Sequence, residues 1–477
     1  MANSYGFRTL SRIALGGLLV VAVFQVFVSF PVLESSLGDM GNRLSDSVEQ
    51  GKKATGLLSL SHSGEGYLKL QLPILPNLRN DVGDEKANKA LRTFFDTYPG
   101  TAGLIHVNEL KVEQAAELRS LAHDIMGVNV LCGNPMVNGS VVVDKDTNGL
   151  EYCFWADELV SRNALKDFRF EEPEWKWVVH AFQIQAEGRD DFECLAFMDV
   201  GVNIGDWVAP IRAMLPQVPY LGVEGLPPNA AIATANMLTS IEYHRQQKTA
   251  HIAPGVMLPF PLLSWRLLRD ARRDGGVCFQ GPAFNLGGVA ISSEPQLNCL
   301  PRFAAGGTAF PHALRHWKRN FQPSCGGKDN PWPTMFIAKF DIEGFEYKAI
   351  ISALEWLQQR PPCYIMMEMT PGYTQNNAII ELLTDVGYDA MWRGWDILKA
   401  RKEPEFPFMM DPSWGPGGFF QSYDSATEQW KNVSGTMQEA FDADMSLRKP
   451  NEYRNYVFGF QDHKACIDRL LSSDITV

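Results

Sequence analysis

The chain has 477 residues, 45% hydrophobic and 21% charged, with 43 basic against 55 acidic side chains and a formal net charge of -12. That apolar content builds a core, and 40 Gly with 29 Pro is near average usage, which excludes collagen-like, low-complexity and disordered classes. An acidic balance without a basic run argues against nucleic acid as a partner, and the length suggests two or three domains or one large domain with insertions.

Residues 1–12 precede Ile13 to Leu33, a stretch of 21 residues without a charge. At 1.5 Å rise per residue it can cross a bilayer core of about 30 Å. Arg8 and Arg12 lie before it and Glu34 and Asp39 after it. The positive-inside rule then expects a cytosolic N-terminus and a single-pass type II protein on the lumenal side of the secretory pathway, in the Golgi or ER. The rival reading is a cleaved signal peptide and a secreted product, although Val32-Leu33-Glu34 offers no small-residue cleavage site.

The Gly- and Ser-rich run over 34–66 reads as the beginning of a flexible stem, taken here to residue 100, before an α+β extension over 101–190. Eight cysteines at 132, 153, 194, 278, 299, 325, 363 and 466 show no C-x-x-C pair and no His at zinc spacing. In an oxidising lumen one to three disulfides are expected, with unreadable connectivity, and burial as small apolar residues is the alternative. Asn138 and Asn432 begin glycosylation sequons.

Within the extension, Glu109 to Met126 carries a helical apolar stripe. Val141–Val143 and Leu150–Trp155 flank Asn148-Gly149 and read as a β-hairpin. From about residue 195 short apolar strands alternate with amphipathic helices, the pattern of an α/β fold with a mostly parallel sheet. Strands are expected at Leu195–Val200, Tyr220–Val223, either His251–Leu258 or Val277–Phe279, Met335–Phe340, Tyr364–Met367, Tyr388–Trp392 and Tyr456–Phe460. Helices are expected from Trp207, near Asn229–Leu238, at Phe345–Gln358 and at Asn376–Val386, and Gly281 to Pro333 reads as irregular.

The first of these strands runs into Asp199-Val-Gly201-Val-Asn203-Ile-Gly205, a turn that lets backbone approach a ligand at the carboxyl edge of the sheet. Asp199 stands where a dinucleotide fingerprint has its first glycine, and a carboxylate there suits a cationic ligand such as the methionine end of S-adenosylmethionine. Glu224 ends the second strand, where an acid grips a ribose diol. Asp341 and Glu343 leave the fourth strand at the same edge, next to Lys339.

FMDVGVNIGDW, VEGLPPN with Asn236, AKFDIEGFEYKAI and YIMMEM occur in order over residues 195–393. In this the chain resembles the FkbM-type family of S-adenosylmethionine-dependent methyltransferases. The resemblance implies a class I methyltransferase (Rossmann-like) seven-stranded mostly parallel sheet over 191–470, with an insertion at 396–455. It also implies O-methylation of a hydroxyl on a glycan, glycolipid or related small molecule. Asp199, Gly201, Asn203 and Gly205 match the family's first motif, Glu224 its ribose acid, and Lys339, Asp341, Glu343 and Gly344 its K-x-D-x-E-G segment.

Removal of the hydroxyl proton falls to Asp341 first and Glu343 second, with helix capping as their structural alternative. His312 and His316 are further candidates, or surface residues. A divalent metal at Asp341 and Glu343 is conceivable but has no support in the sequence, and none is expected. Pro412 to Phe420, an aromatic glycine-hinged loop, is placed over the active site. Two other classes remain open: a metal-dependent glycosyltransferase using Asp144 and Asp146 as a D-x-D site, and a binding module without activity.

Overall fold

The computed structural model describes residues 85–100, 103–133, 152–156, 172–186, 192–263, 277–280, 290–292, 300–305, 307–321, 325, 330–369, 373, 375–393, 419–424, 429–434, 436–446, 454–460 and 462–472. The apolar stretch 13–33, Asn138, Val141–Val143, Asp144, Asp146 and the loop 412–418 lie outside these residues. Among the described residues no helix is long and apolar enough to cross a membrane.

In chain order the strands are β1 (Ile105–His106), β2 (Val130–Gly133), β3 (Tyr152–Trp155), β4 (Ala196–Val200), β5 (Tyr220–Val223), β6 (Gly255–Leu258) and β7 (Leu262–Leu263). There follow β8 (Val277–Gln280), β9 (Ala290–Ser292), β10 (Leu300–Ala305), β11 (Thr308–Ala309), β12 (Met335–Phe340) and β13 (Tyr364–Met369). The last four are β14 (Ala390–Arg393), β15 (Phe419–Asp424), β16 (Gln429–Ser434) and β17 (Arg454–Gly459). Eight of them form one sheet in the order β1-β6-β5-β4-β12-β13-β17-β14. The run β6-β5-β4-β12-β13 is parallel, whereas β17 runs antiparallel to both its neighbours and β1 is antiparallel on β6. The fold is therefore mixed α/β with a large, mostly parallel central sheet.

Both faces of this sheet are covered, which explains why its strands are continuous apolar runs. Phe197, Tyr220, Phe336 and Tyr364 pack on one face with helices Glu113–Met126, Glu172–Ala186, Val208–Met214 and Pro227–Gln246. Met198, Leu221, Ala338 and Ile365 pack on the other with helices Phe310–Phe321, Glu346–Ser352 and Gln375–Val386. The Ala-rich helix Pro227–Gln246 starts on two prolines and is buried nearly all round.

Several expectations need correcting. Helix Glu85–Thr97 lies inside the stretch assigned to the stem; Leu91 and Phe94 fall on its buried side and anchor it to the core. The extension over 101–190 contributes to the main fold: β1 completes the edge of the sheet and Trp177 packs edge-on against Tyr364. Strand β3 pairs in register with Val130–Gly133, a partner the sequence did not suggest. The third sheet strand is Gly255–Leu258, while Val277–Gln280 joins a separate three-stranded sheet with β9 and β10. That sheet, β11 and helix Phe310–Phe321 order much of the segment read as irregular.

Three disulfides join described cysteines: Cys132–Cys153 across the β2–β3 hairpin, Cys194–Cys325, and Cys363–Cys466 between β13 and the C-terminal helix His463–Leu471.

Candidate active site

Strand order reverses between β4 and β12: the chain leaves β4 toward β5 and β6 and later returns to β4's other side. A crevice opens at such a point beyond the carboxyl ends of the strands. Here it is a cleft with about 620 Å³ of empty space, part of it open to solvent. Its polar side is Gly201, Asn203, Glu224, Asn229, Asp341 and Glu343. Leu262, Phe279 and Ile291 belong to its apolar lining, to which β7, β8 and β9 contribute.

The turn after β4 is shaped by close approach. Gly201 has φ +93°, and a Cβ on it would lie 1.7 Å from the Asp341 carbonyl oxygen. Only glycine fits between the two strand ends. The Asp341 N–H donates to the Val200 carbonyl at 2.9 Å, and the Gly201 N–H to the Val223 carbonyl at 2.8 Å. Asn203 takes φ +53°, a left-handed conformation that few residues other than glycine adopt. In that conformation its N–H donates to Glu224 Oε2 at 2.8 Å.

Glu224 Oε1 accepts the Leu226 N–H at 2.7 Å, so both carboxylate oxygens are oriented by backbone. Each oxygen keeps a second lone pair for a ligand hydroxyl. Burial pushes the Glu224 carboxyl up to about 7, against the lowering effect of the two N–H donors.

Asp341 is tuned the other way. Lys339, buried on β12, brings Nζ to 3.1 Å from Asp341 Oδ2 and 3.5 Å from Asp199 Oδ1, with its ammonium over the Trp207 ring. Burial works to raise Asp341, but the Lys339 charge and hydrogen bonds with Glu368 and Lys339 outweigh it and hold the carboxyl below its usual range. Glu343 follows at φ +54°, exposed at the rim. The loop between them is fixed by Glu346, whose Oε1 accepts the N–H groups of Ile342 at 3.0 Å and Gly344 at 3.2 Å. Burial raises the Glu346 carboxyl to about 7.

Of the residues singled out in the sequence, Gly201, Asn203, Glu224, Asp341 and Glu343 meet at the cleft. Asp199 does not line it, which corrects the expectation of a carboxylate facing a cationic ligand. It is fully buried, accepts the Tyr220 hydroxyl at 2.6 Å and faces Lys339; burial raises its carboxyl despite that charge. Gly205 also lies off the cleft, and at φ +86° its Cβ position would be 3.2 Å from Ala233 Cα, so it serves helix packing. His312 and His316 are half-buried on helix Phe310–Phe321, outside the cleft lining; burial lowers both and takes His312 to about 4.

Three participants were missed. Glu368, at the end of β13, brings a carboxylate oxygen within 4.8 Å of those of Asp341 and Glu343, a set of hard oxygen donors able to take a divalent cation. Its signal was an acid in the otherwise apolar YIMMEM. Asn229 lines the cleft from the first turn of its helix, and Phe279 covers Gly225, whose Cβ position is 2.6 Å from the ring. Asn229 closes the VEGLPPN segment without a role of its own being read there, and Phe279 reads only as part of a candidate strand. Comparison of the chain with protein-family models, curated proteins and solved structures finds no match.

Proposed function

We propose that this chain is an S-adenosylmethionine-dependent methyltransferase that methylates a hydroxyl on a glycan, glycolipid or related small molecule. One observation carries the reading. A glycine turn, a strand-end glutamate with both oxygens pre-oriented, and an ionised aspartate converge on one cleft at the point where strand order reverses. The central order, with a third, second, first, fourth and fifth parallel strand followed by a reversed one, suits the class I methyltransferase sheet.

The residues fit the cofactor. Glu224 would hold the ribose hydroxyls, the left-handed turn at Gly201 and Asn203 would let backbone approach, and Phe279, Leu262 and Ile291 would receive the base. When bound, the cofactor supplies an electrophilic methyl group. The chain supplies the rest: Asp341, kept ionised by Lys339, accepts the proton of the acceptor hydroxyl, Glu343 orients the acceptor at the rim, and Glu368 hydrogen-bonds to Asp341. The three disulfides favour an oxidising compartment, which agrees with an N-terminal anchor and a lumenal catalytic domain.

The test is transfer of labelled methyl from S-adenosylmethionine into a fractionated lysate. Label should enter the glycan or glycolipid fraction with the native chain and not with Asp341→Ala. Label confined to protein, or none at all, would overturn the reading.

A further inference from the structure

Strand β3 belongs to the N-terminal extension and does not line the cleft, yet two hydrogen-bond chains run from it to the turn after β4. Trp155, fully buried, donates its indole N–H to Asn229 Oδ1 at 2.8 Å. Asn229 Nδ2 donates to Asn203 Oδ1 at 2.9 Å, and the Asn203 N–H donates to Glu224. Two residues before Trp155, the Cys153 N–H donates to Asn236 Oδ1 at 2.9 Å. Asn236 Nδ2 returns a bond to the Cys153 carbonyl at 3.0 Å and reaches the Ile204 carbonyl at 2.8 Å. Adjacent residues of the turn, Asn203 and Ile204, are thus each held from β3.

The first chain has a direction. An indole nitrogen only donates, so the amide of Asn229 must turn its oxygen to Trp155 and its NH2 group to Asn203. Asn203 must in turn present Oδ1 to that group. This fixes the side chain of a residue whose left-handed backbone aims its own N–H at Glu224. The Cys132–Cys153 disulfide ties β3 to β2, so the far end of the relay is covalently anchored.

We infer that Trp155 is a positioning residue for the cofactor turn, which makes the N-terminal extension a working part of the site. Its effect on cofactor affinity rests on the methyltransferase reading; its effect on the turn does not.

The test compares Trp155→Phe with Trp177→Phe in the full chain. Trp177 is an equally buried indole that packs on Tyr364 rather than on the turn, and it controls for lost packing. Without ligand, amide hydrogen exchange over residues 201–206 should quicken about tenfold in Trp155→Phe and stay within about twofold of native in Trp177→Phe. The Kd for S-adenosylmethionine should rise about fivefold to tenfold in Trp155→Phe alone, the loss of one well-placed hydrogen bond. If Trp155→Phe does not fold, Asn229→Ala breaks the same relay at its middle and must give the same exchange pattern. Unchanged exchange, or equal quickening in both tryptophan variants, would overturn the inference. Failure of the native chain to bind S-adenosylmethionine would remove the cofactor reading while the exchange comparison still decides the role of Trp155.

Discussion

Replacing Gly201 by Ala probes the point on which the site geometry depends. The added Cβ would sit 1.7 Å from the Asp341 carbonyl oxygen and 2.7 Å from its carbon, both backbone atoms that cannot swing aside. The ends of β4 and β12 must therefore part by more than about 1 Å, against the bond from the Asp341 N–H to the Val200 carbonyl. Overpacking of this kind costs about 1–3 kcal/mol, and alanine at φ +93° adds roughly another 1–3 kcal/mol. We expect Gly201→Ala to lose about 2–6 kcal/mol of stability in chemical denaturation. Wherever it folds, methyl transfer should fall about 10²-fold, because a 1 Å displacement of Asp341 spoils its approach to the acceptor. Gly222→Ala is the internal comparison. Its tight contacts, Met257 Cε at 2.8 Å and Met257 Sδ and Val202 Cγ2 at 3.1 Å, are all side-chain atoms rather than backbone, and its φ is not left-handed. Equal effects of the two substitutions, or a Gly201→Ala protein with native stability and turnover, would refute the close-approach argument.

Five other outcomes are expected, four at the site and one at a disulfide. Since the Glu224 carboxyl is raised to about 7, cofactor affinity in calorimetry should weaken as pH falls from 8 to 6, when the group takes up a proton and loses acceptor capacity; pH-independent affinity would remove Glu224 from the site. Asp341→Ala should spare cofactor binding and stop turnover, and Lys339→Met should shift the acid limb of the kcat profile upward by releasing Asp341 from the adjacent charge; an unmoved limb would separate Lys339 from catalysis. The Glu346 carboxyl is raised in the folded state, so its contribution is fully present below the unfolded value near 4.5 and is lost as pH rises through about 7. Glu346→Gln should therefore gain in Tm on the native chain between pH 5 and pH 8, and a constant difference would contradict the assignment. Removing Cys363–Cys466, which closes 103 residues, should cost about 4–5 kcal/mol in the chain-entropy account, and an unchanged unfolding midpoint in the double Ser variant would argue against that bond.

The sheet was legible because burial on both faces turns each strand into a short apolar run ending in Gly, Asp or Glu. Tyr220–Val223 and Met335–Phe340 could be bounded to the residue. The third strand stayed ambiguous because Gly255–Leu258 and Val277–Gln280 have similar apolar character, and only pairing with β5 distinguishes them. The hairpin was half read: Asn148-Gly149 drew attention to the segment before β3, but its partner Val130–Gly133 is set by tertiary pairing.

At the site, Glu224 and Asp341 were readable as strand-end acids. Asp199 looked equivalent to them in sequence, yet its register opposite Lys339 buries it beneath the cleft. The relay from Trp155 to Asn229 spans 74 residues and leaves no local signature, since buried tryptophans and helix-start asparagines are common in any core.

The central claim is that this cleft binds S-adenosylmethionine through Glu224. Isothermal titration of the native chain and of Glu224→Ala, each with S-adenosylmethionine and with a uridine sugar nucleotide plus divalent cation, tests it most directly. Saturable heat is expected with S-adenosylmethionine for the native chain, none for Glu224→Ala, and none for either with the sugar nucleotide. Binding of the sugar nucleotide alone, or S-adenosylmethionine binding unaffected by the loss of Glu224, would contradict it.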